Sequence, residues 1–205
     1  MDNGYPPEPW DLTGHGYVSL WRVPVELVSE LPGGVRPVTV FGKAFVATAF
    51  VDYLKGSMLP YHELLAAVLV RRGRRFGITV TQIWVDSERS RTGARELWGI
   101  PKEMADFQMT HGEPFRGSAA ELAAARVQAC RVGVRLPIPL KWDVLHTLNA
   151  ALASTPVSAI GRLSLASARW RVDPAGPLAW LRPYRPIASL AVTGFQMRFG
   201  SARPR

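Results

Sequence analysis

Two strand-like segments joined by a cluster of arginines constrain the fold of this chain most strongly. In residues 76–85 the side chains from Ile78 to Trp84 at even positions share one face, and those from Thr79 to Val85 at odd positions share the other. Residues 61–70 form a second apolar run before them. The cluster between the two runs, residues 71–75, is centred on a glycine and has the composition of a solvated hairpin tip. The pattern therefore predicts a β-hairpin.

Other segments rich in β-branched and aromatic residues predict further strands. They cover residues 17–23, 160–172 and 187–199, and residues 37–54 predict a second hairpin that turns at Gly42-Lys43. Residues 1–14, which are rich in proline, predict an extended N-terminal arm. Many strands and few helices indicate an α+β fold that is mainly antiparallel β, built as a closed barrel-like sheet with a few short flanking helices.

Helix signals are few. Residues 24–31 begin with a proline and precede two glycines, which predicts a short helix. Residues 87–97 predict another, capped by Asp86 or Ser87. Residues 118–125 combine a capping box with an alanine-rich run that favours helix. Residues 142–152 are compatible with a short helix or with an irregular excursion.

Composition favours a single cytoplasmic domain over residues 1–205. The chain has a mass of 22.6 kDa and is 47% hydrophobic, which is enough for a substantial core. No apolar run approaches the ~18–20 residues that a membrane helix needs, and the first residues lack the pattern of a secretion signal. Cys130 is the only cysteine, so neither an intrachain disulfide nor a cysteine-based metal cluster can form, and we expect it to be a small core residue.

The net charge of +9 raises the question of nucleic-acid binding. The excess is almost entirely arginine scattered through strand-like segments, and no helix-turn-helix, zinc-finger or RNP-like pattern accompanies it. We therefore expect no nucleic-acid partner and no membrane association. A positive surface instead favours anionic small molecules. The histidines show no ligand spacing, and no nucleotide-binding glycine loop is present, so neither a metal nor a cofactor is expected.

Lys102 is the most unusual residue for chemistry. It is one of four lysines and follows a Trp-Gly-Ile-Pro run. Burial disfavours an ammonium ion and depresses the pKa of an amine, by up to ~3–5 units when burial is complete. A neutral amine would form an imine with a ketone or aldehyde. The alternative is a lysine that extends from a strand end into water.

Several segments resemble the acetoacetate decarboxylase-like superfamily. Residues 93–102 (GARELWGIPK) resemble the motif around its Schiff-base lysine, and residues 59–68 (LPYHELLAAV) resemble its Tyr-x-Glu segment. Residues 84–96, 5–14 and 177–200 also resemble family signatures. The resemblance covers nearly the whole chain. It implies a β-barrel, homo-oligomeric assembly, and paired strands rather than helix from residue 118 to residue 134.

The resemblance also implies roles for individual residues. Lys102 would be the nucleophile and Glu63 the proton-transfer group, while His62, which points to the other face of the strand, would be packed or exposed at the surface. Arg95 and Glu96 would pair to support the lysine motif. Trp98 would either wall the pocket or belong to the core. The candidate substrate contacts are Tyr61, Trp98, Arg22 and Met104.

Three departures from the decarboxylase pattern are visible. Glu103 replaces a second lysine after the nucleophile, and a carboxylate facing the amine would favour the ammonium form unless it points away. A further family glutamate falls near Thr48 and is missing. The carboxylate-binding arginine has no clear counterpart, with Arg22 as one stand-in and His15 as a poorer one.

The sequence therefore predicts a cofactor-independent lyase that forms a Schiff base with an oxo acid or ketone. The leading reaction is decarboxylation of a β-keto acid larger than acetoacetate. Aldolase, dehydratase or cyclase chemistry in secondary metabolism is the alternative among enzymes. A non-catalytic barrel that binds a small apolar ligand is the alternative outside catalysis.

Overall fold

A computed structural model describes residues 4–28, 30–136 and 138–204 of the protein. Helix α1 spans Glu88–Trp98, and short 3-10 turns lie at Val25–Leu27 and Ala179–Leu181. The strands are β1 (Trp10–Pro24), β2 (Arg36–Pro37), β3 (Thr39–Val40), β4 (Lys43–Tyr53), β5 (Tyr61–Arg72), β6 (Arg75–Val85), β7 (Lys102–Met104), β8 (Phe107–Thr110), β9 (Phe115–Ala119), β10 (Ala123–Arg135), β11 (Leu140–Leu148), β12 (Ala151–Val172), β13 (Ala188–Phe199) and β14 (Arg203–Pro204).

The strands join in one sheet that closes on itself. The ring runs in the order β11, β6, β5, β4, β1, β13, β12, and β12 returns to β11. Closure depends on the length of β12, which pairs with β11 up to Ala159 and with β10 from Arg162 onward. Nearly all pairings are antiparallel, although β6 pairs in parallel with both β7 and β11. The predicted α+β, barrel-like fold is confirmed.

Both faces of the sheet are covered by hydrophobic side chains. On β4, Val46 and Phe50 enter one buried cluster, while Val51 and Tyr53 on the opposite face enter the other. This alternation is the two-residue period of a strand whose two faces are both buried. The second cluster surrounds Lys102.

Most predicted local elements are present. The arginine cluster forms the turn between β5 and β6, where Arg72 pairs with Arg75. The predicted hairpin at Gly42-Lys43 forms between β3 and β4, with Phe41 and Gly42 in the turn and Lys43 paired with Val40. Ser87 caps α1 by accepting a hydrogen bond from the Ser90 N–H. Residues 118–134 form strands, as the resemblance implied, because Glu121 adopts a left-handed φ of 58° in the turn between β9 and β10 and so interrupts any helix.

Two predictions of secondary structure are wrong. Residues 24–31 contain a single 3-10 turn at Val25–Leu27 instead of a helix; Ser29 of that segment lies outside the described residues. Residues 142–152 form parts of β11 and β12. They turn back at Asn149 and Ala150, which both adopt positive φ, and the resulting strand pair closes the barrel.

The ends of the chain and the cysteine also differ from expectation. The arm extends only to Pro9, since β1 begins at Trp10, and the side chains of Tyr5 and Trp10 are buried; residues 1–3 lie outside the described range. Cys130 is exposed on β10, because that strand lies beyond the closed ring. Among the described residues, no helix is long and apolar enough to cross a membrane.

A β–α–β unit presents the lysine. Strand β6 leads into α1, and the chain returns as β7 beside β6 in the parallel direction. A parallel return requires such a crossover connection. Gly99 ends α1 in the left-handed conformation, with φ of 68°, and its N–H bonds to the carbonyls of Ala94 and Arg95.

Gly99→Ala should destabilise the fold by more than the ~1–2 kcal/mol that a left-handed residue costs. A Cβ at this position would lie 2.1 Å from the Thr147 carbonyl oxygen, so β11 would have to move. Gly73→Ala is the matched control, since Gly73 also has positive φ but has open space around it. Urea unfolding of both variants measures the difference. Equal losses of stability would contradict a steric role for Gly99.

Candidate active site

Lys102 is the first residue of β7 and is buried, with 4% of its surface exposed. Its backbone pairs with Ile83 of β6. The Arg95 guanidinium of α1 donates a hydrogen bond from Nε to the Lys102 carbonyl oxygen at 2.7 Å. Helix and strand therefore hold the lysine backbone together, and its side chain points into the second hydrophobic cluster.

Three oxygen atoms surround the lysine amine. Nζ lies 2.7 Å from Oε2 of Glu63, 3.0 Å from the Tyr61 hydroxyl and 2.9 Å from Oγ of Ser90. An ammonium group has three N–H donors. Each donor therefore has one acceptor.

Both carboxylate oxygens of Glu63 accept hydrogen bonds. The residue lies on β5 with 3% of its surface exposed. The hydroxyl of Tyr53 donates to Oε1 at 3.2 Å, and that of Tyr61 donates to Oε2 at 3.4 Å. Tyr53 and Tyr61 are direct partners in the β4–β5 register, which brings their rings within 4.4 Å. A buried carboxylate is tolerated because charge and hydrogen bonds compensate for its desolvation.

Burial does not depress the pKa of Lys102. Desolvation lowers the pKa, but attraction to the Glu63 carboxylate and interactions with Tyr61 outweigh it and raise the pKa above its ordinary value. Neither of the two alternatives for Lys102 holds in the resting protein: the side chain does not extend into water, and its amine is held in an ammonium–carboxylate pair rather than as a neutral group. Burial also raises the pKa of Tyr61 and, more strongly, that of Tyr53, so both phenols stay protonated.

A small apolar pocket opens beside this pair. Its volume is about 110 Å³. Lys102, Glu63, Tyr61 and Tyr53 supply its polar groups. The rest of its described lining is apolar and contains no arginine: Trp10, Leu12, Leu65, Ile78, Val80, Ile83, Ala94, Trp98, Ile100, Trp142, Val144, Val157, Met197 and Phe199. A ligand here would leave water and meet one cation, the lysine.

A larger open cleft adjoins the pocket. It has a volume of about 750 Å³ and shares Trp142 and Val157 with the pocket. Lys141 and Arg203 also line it and give it positive charge. Trp142 is half-buried between the two spaces.

Trp98 lines the pocket and also belongs to the core, so both predicted alternatives hold. Its indole N–H donates to the Gly200 carbonyl at 2.8 Å. Its ring meets those of Trp10 at 4.8 Å and Phe199 at 4.7 Å, each edge to face. These contacts fix the last turn of α1 against the barrel.

Two predicted substrate contacts lie away from the pocket. Arg22, near the end of β1, donates to the Val40 carbonyl at 3.1 Å and lies over the Phe41 ring. Its strand position pairs with Phe45, six residues along β4 from the Glu63 partner Val51. Met104 is 41% exposed and does not line the pocket. Arg22 is therefore no stand-in for a carboxylate-binding arginine.

Arg95 and Glu96 do not pair with each other. Arg95 forms a salt bridge with Glu103, and Glu96 accepts a hydrogen bond from the Tyr5 hydroxyl. Adjacent helix residues point in different directions, which explains the separation. Glu103 is exposed beside Arg95 and does not face the amine, so its replacement of a lysine leaves Lys102 unaffected.

The other residues singled out by the sequence lie on the face of the sheet opposite to Glu63 and Lys102. His62 is half-exposed and bonds to Asp86 at 2.6 Å; this hydrogen bond raises its pKa despite desolvation. His15 accepts a hydrogen bond from the Gly194 N–H. Thr48 is buried and accepts one from the Trp21 indole. Across the described part of the chain, no group of three or more histidine, cysteine, aspartate or glutamate side chains is arranged for a metal ion.

Sequence reasoning missed Tyr53, Ser90 and Trp142. Tyr53 reaches the site only through the β4–β5 register, which has no local signal. Ser90 had a signal: on a helix it shares one face with Ala94 and Trp98, at spacings of four. Trp142 was hidden because its segment was assigned as a short helix or an irregular excursion.

The closed barrel has a small apolar pocket beside a buried lysine–carboxylate pair. The family profile of acetoacetate decarboxylase (ADC) matches residues 2–155. The chain therefore belongs to the acetoacetate decarboxylase family of enzymes, and the resemblance seen in the sequence is confirmed. No match was found among curated proteins.

Solved structures share the fold at low sequence identity. Acetoacetate decarboxylase from Legionella pneumophila superposes with a TM-score of 0.79 at 15% identity, over 99% of this chain and 89% of that one. The enduracididine biosynthesis enzyme MppR, in complex with pyruvate, gives 0.75 at 18% identity, over 97% and 91%. An acetoacetate decarboxylase-like enzyme from Sphingomonas wittichii gives 0.72 at 14% identity, over 98% and 94%.

Glu63→Gln should reverse the direction of the Lys102 pKa shift. The raised pKa means that the ion pair stabilises the fold below the ordinary lysine pKa and ceases to do so as pH rises through the folded-state pKa. Without the carboxylate, desolvation dominates and the pKa falls. Loss of one partner from a buried pair should cost about 3 kcal/mol or more at neutral pH.

Titration of Lys102 by pH-dependent amine labelling, together with urea unfolding, measures both effects. Glu103→Gln is the matched control, because its exposed pair with Arg95 is worth at most ~1 kcal/mol. A Lys102 pKa that stays raised in Glu63→Gln would show that Glu63 is not its cause.

Proposed function

We propose that the protein is a cofactor-independent lyase in which Lys102 forms an imine with an oxo acid. One observation carries this proposal: the Lys102 amine lies 2.7 Å from Glu63 at the wall of an apolar pocket. A primary amine in such a pocket reacts with a carbonyl group, and a carboxylate in contact with it exchanges its proton.

Glu63 makes the amine nucleophilic by accepting its proton when a ligand binds. In the resting protein the proton resides on Lys102. Transfer of that proton to Glu63 converts an ion pair into two neutral groups, a form that the dry pocket favours once a ligand displaces water. The neutral amine attacks the carbonyl carbon, and the carbonyl oxygen takes up the proton that the attacking nitrogen loses, which gives a neutral carbinolamine. Glu63 then gives its proton to the carbinolamine hydroxyl, which leaves as water and yields an iminium ion.

The iminium ion is the electron sink for decarboxylation of a 3-oxo acid. The bond between the α-carbon and the carboxyl carbon breaks, CO₂ leaves, and the electron pair forms an enamine. Protonation at the α-carbon and addition of water then release the ketone and free Lys102. The apolar walls disfavour a carboxylate and favour neutral CO₂. This destabilisation of the carboxylate promotes loss of CO₂, whereas an arginine bound to the carboxylate would stabilise it.

The two cavities support a substrate larger than acetoacetate. A volume of about 110 Å³ accepts a ligand of only a few heavy atoms, since a cavity of ~150 Å³ holds one benzene molecule. The reacting end of the substrate would occupy this pocket. The remainder would extend past Trp142 into the cleft, where Lys141 and Arg203 attract anionic groups.

Condensation or dehydration is the second candidate reaction. Structures of MppR contain pyruvate and the condensation product of pyruvate with imidazole 4-carboxaldehyde. The same Lys102 imine and Glu63 proton transfer would support an aldolase, dehydratase or cyclase. The described pocket lining contains no arginine, which favours substrates whose carboxylate lies outside the pocket during the reaction.

Borohydride reduction in the presence of oxo acids should attach the substrate skeleton to Lys102. The protein is incubated with 2-oxo and 3-oxo acids of increasing chain length, reduced, and mapped by peptide mass. The exposed lysines Lys43 and Lys55 are internal controls, since neither lines the pocket or the cleft. Release of CO₂ from the 3-oxo acids distinguishes decarboxylation from condensation.

Absence of an adduct on Lys102 with every carbonyl compound would contradict the lyase proposal. Binding of the same compounds without an adduct would instead identify a non-catalytic barrel. Lys102→Met, which retains the side-chain length, should abolish the adduct and keep the fold.

Trp142→Ala should shift the preference towards longer oxo acids by about tenfold in adduct formation, because the pocket and the cleft would merge. Such a gain is typical of one added methylene or more in an apolar site. Trp180→Ala is the control, since Trp180 is also half-buried but lies outside the pocket. An unchanged chain-length profile would show that the substrate does not pass Trp142.

A further inference from the structure

Ser90 contacts the reactive amine from the helix. It lies in the first turns of α1 with 0% of its surface exposed, and its Oγ accepts a hydrogen bond from Lys102 Nζ at 2.9 Å. Ser90 also forms a hydrogen bond with the Tyr61 hydroxyl. The Tyr61 hydroxyl and Glu63 are the other two acceptors of the amine.

The three acceptors occupy different sides of the amine. Glu63 and Tyr61 line the pocket, whereas Ser90 is not among the described lining residues. Ser90 therefore holds the hydrogen that points away from the pocket. The amine is anchored from behind by the helix and from the front by β5.

Proton transfer to Glu63 leaves two hydrogens on the nitrogen. Tyr61 and Ser90 can each accept one of them, since both hydroxyl oxygens have free lone pairs. The nitrogen lone pair is then left in the direction of the former bond to Glu63. That direction lies on the pocket side of the nitrogen, since Glu63 lines the pocket and Ser90 is not among its described lining residues.

We infer that Ser90 is a positioning residue that aims the Lys102 lone pair into the pocket. Without its hydroxyl the neutral amine rotates about the Cε–Nζ bond, and the lone pair is no longer directed at a ligand. The inference deepens the proposed imine chemistry and rests on it for its biological purpose. The geometry of the neutral amine, however, can be tested with a reagent that needs no imine.

The test separates orientation from charge. In a Glu63→Ala background the carboxylate that keeps Lys102 protonated is absent, so burial leaves the amine neutral near neutral pH. Tyr61 and Ser90 remain to hold its two hydrogens. The rate of acetylation of Lys102 by acetic anhydride, read from its peptide and normalised to exposed Lys141, then reports how well the lone pair is aimed.

Adding Ser90→Ala to Glu63→Ala should reduce the normalised rate about tenfold or more, since misplaced nucleophiles lose reactivity steeply. Ser90→Cys, which retains a weak acceptor, should give an intermediate rate and serves if the alanine variant does not fold. Ser189→Ala in the same background is the matched control, because Ser189 is a buried serine bonded to Ser19 and distant from Lys102 in the sheet. It should lose stability without losing the labelling rate.

An equal or higher rate in Glu63→Ala/Ser90→Ala would overturn the inference, because the lone pair would then be directed equally well without the Ser90 hydroxyl. If the wild-type protein forms no borohydride adduct but the Glu63→Ala variants show the expected difference in labelling rate, the imine function is contradicted and the role of Ser90 is retained. The two failures are therefore distinguishable.

Discussion

The buried ion pair between Lys102 and Glu63 is the interaction on which the rest of the site depends. An ammonium ion in an apolar pocket is tolerated only beside an anion with further hydrogen bonds. Here the two residues lie on β7 and β5, with β6 between them. Glu63 pairs with Val85 and Lys102 with Ile83, so both side chains project from the same face of the sheet.

The separation of β5 and β7 requires a long side chain at position 102 to reach Glu63. Neighbouring strands lie ~4.8 Å apart, so β5 and β7 are separated by about twice that distance. A four-carbon side chain crosses β6 and brings its nitrogen to the carboxylate. The backbone of β7 must be rigid for this reach to be reproducible. The Arg95 bond to the Lys102 carbonyl and the left-handed turn at Gly99 supply that rigidity.

The same pair reconciles stability with reactivity. In the resting protein it is a salt bridge, and the tyrosine hydroxyls on β4 and β5 satisfy the carboxylate. In the proposed reaction, a carbonyl ligand excludes water, and the proton moves over the 2.7 Å contact from Lys102 to Glu63, which leaves a nucleophile beside an acid. Activation of the lysine therefore does not require a depressed pKa in the empty pocket. It requires a proton acceptor in contact with the amine and a second anchor, Ser90, that keeps the amine oriented.

The sequence by itself determined the local elements and the identity of the two central residues. The hairpins at residues 71–75 and at Gly42-Lys43, and the helix capped by Ser87, follow from periodicity and turn chemistry that act within a few residues. The family motifs placed Lys102 and Glu63 in the site. The tertiary structure decided what local patterns do not encode. The sign of the Lys102 pKa shift depends on how close Glu63 comes across β6, and the exclusion of Arg22 and the entry of Tyr53 depend on strand register. The closure of the barrel by β12 brought Trp142 to the pocket. In each case the deciding contact joins residues on different strands, so it exists only once those strands have paired in the correct register.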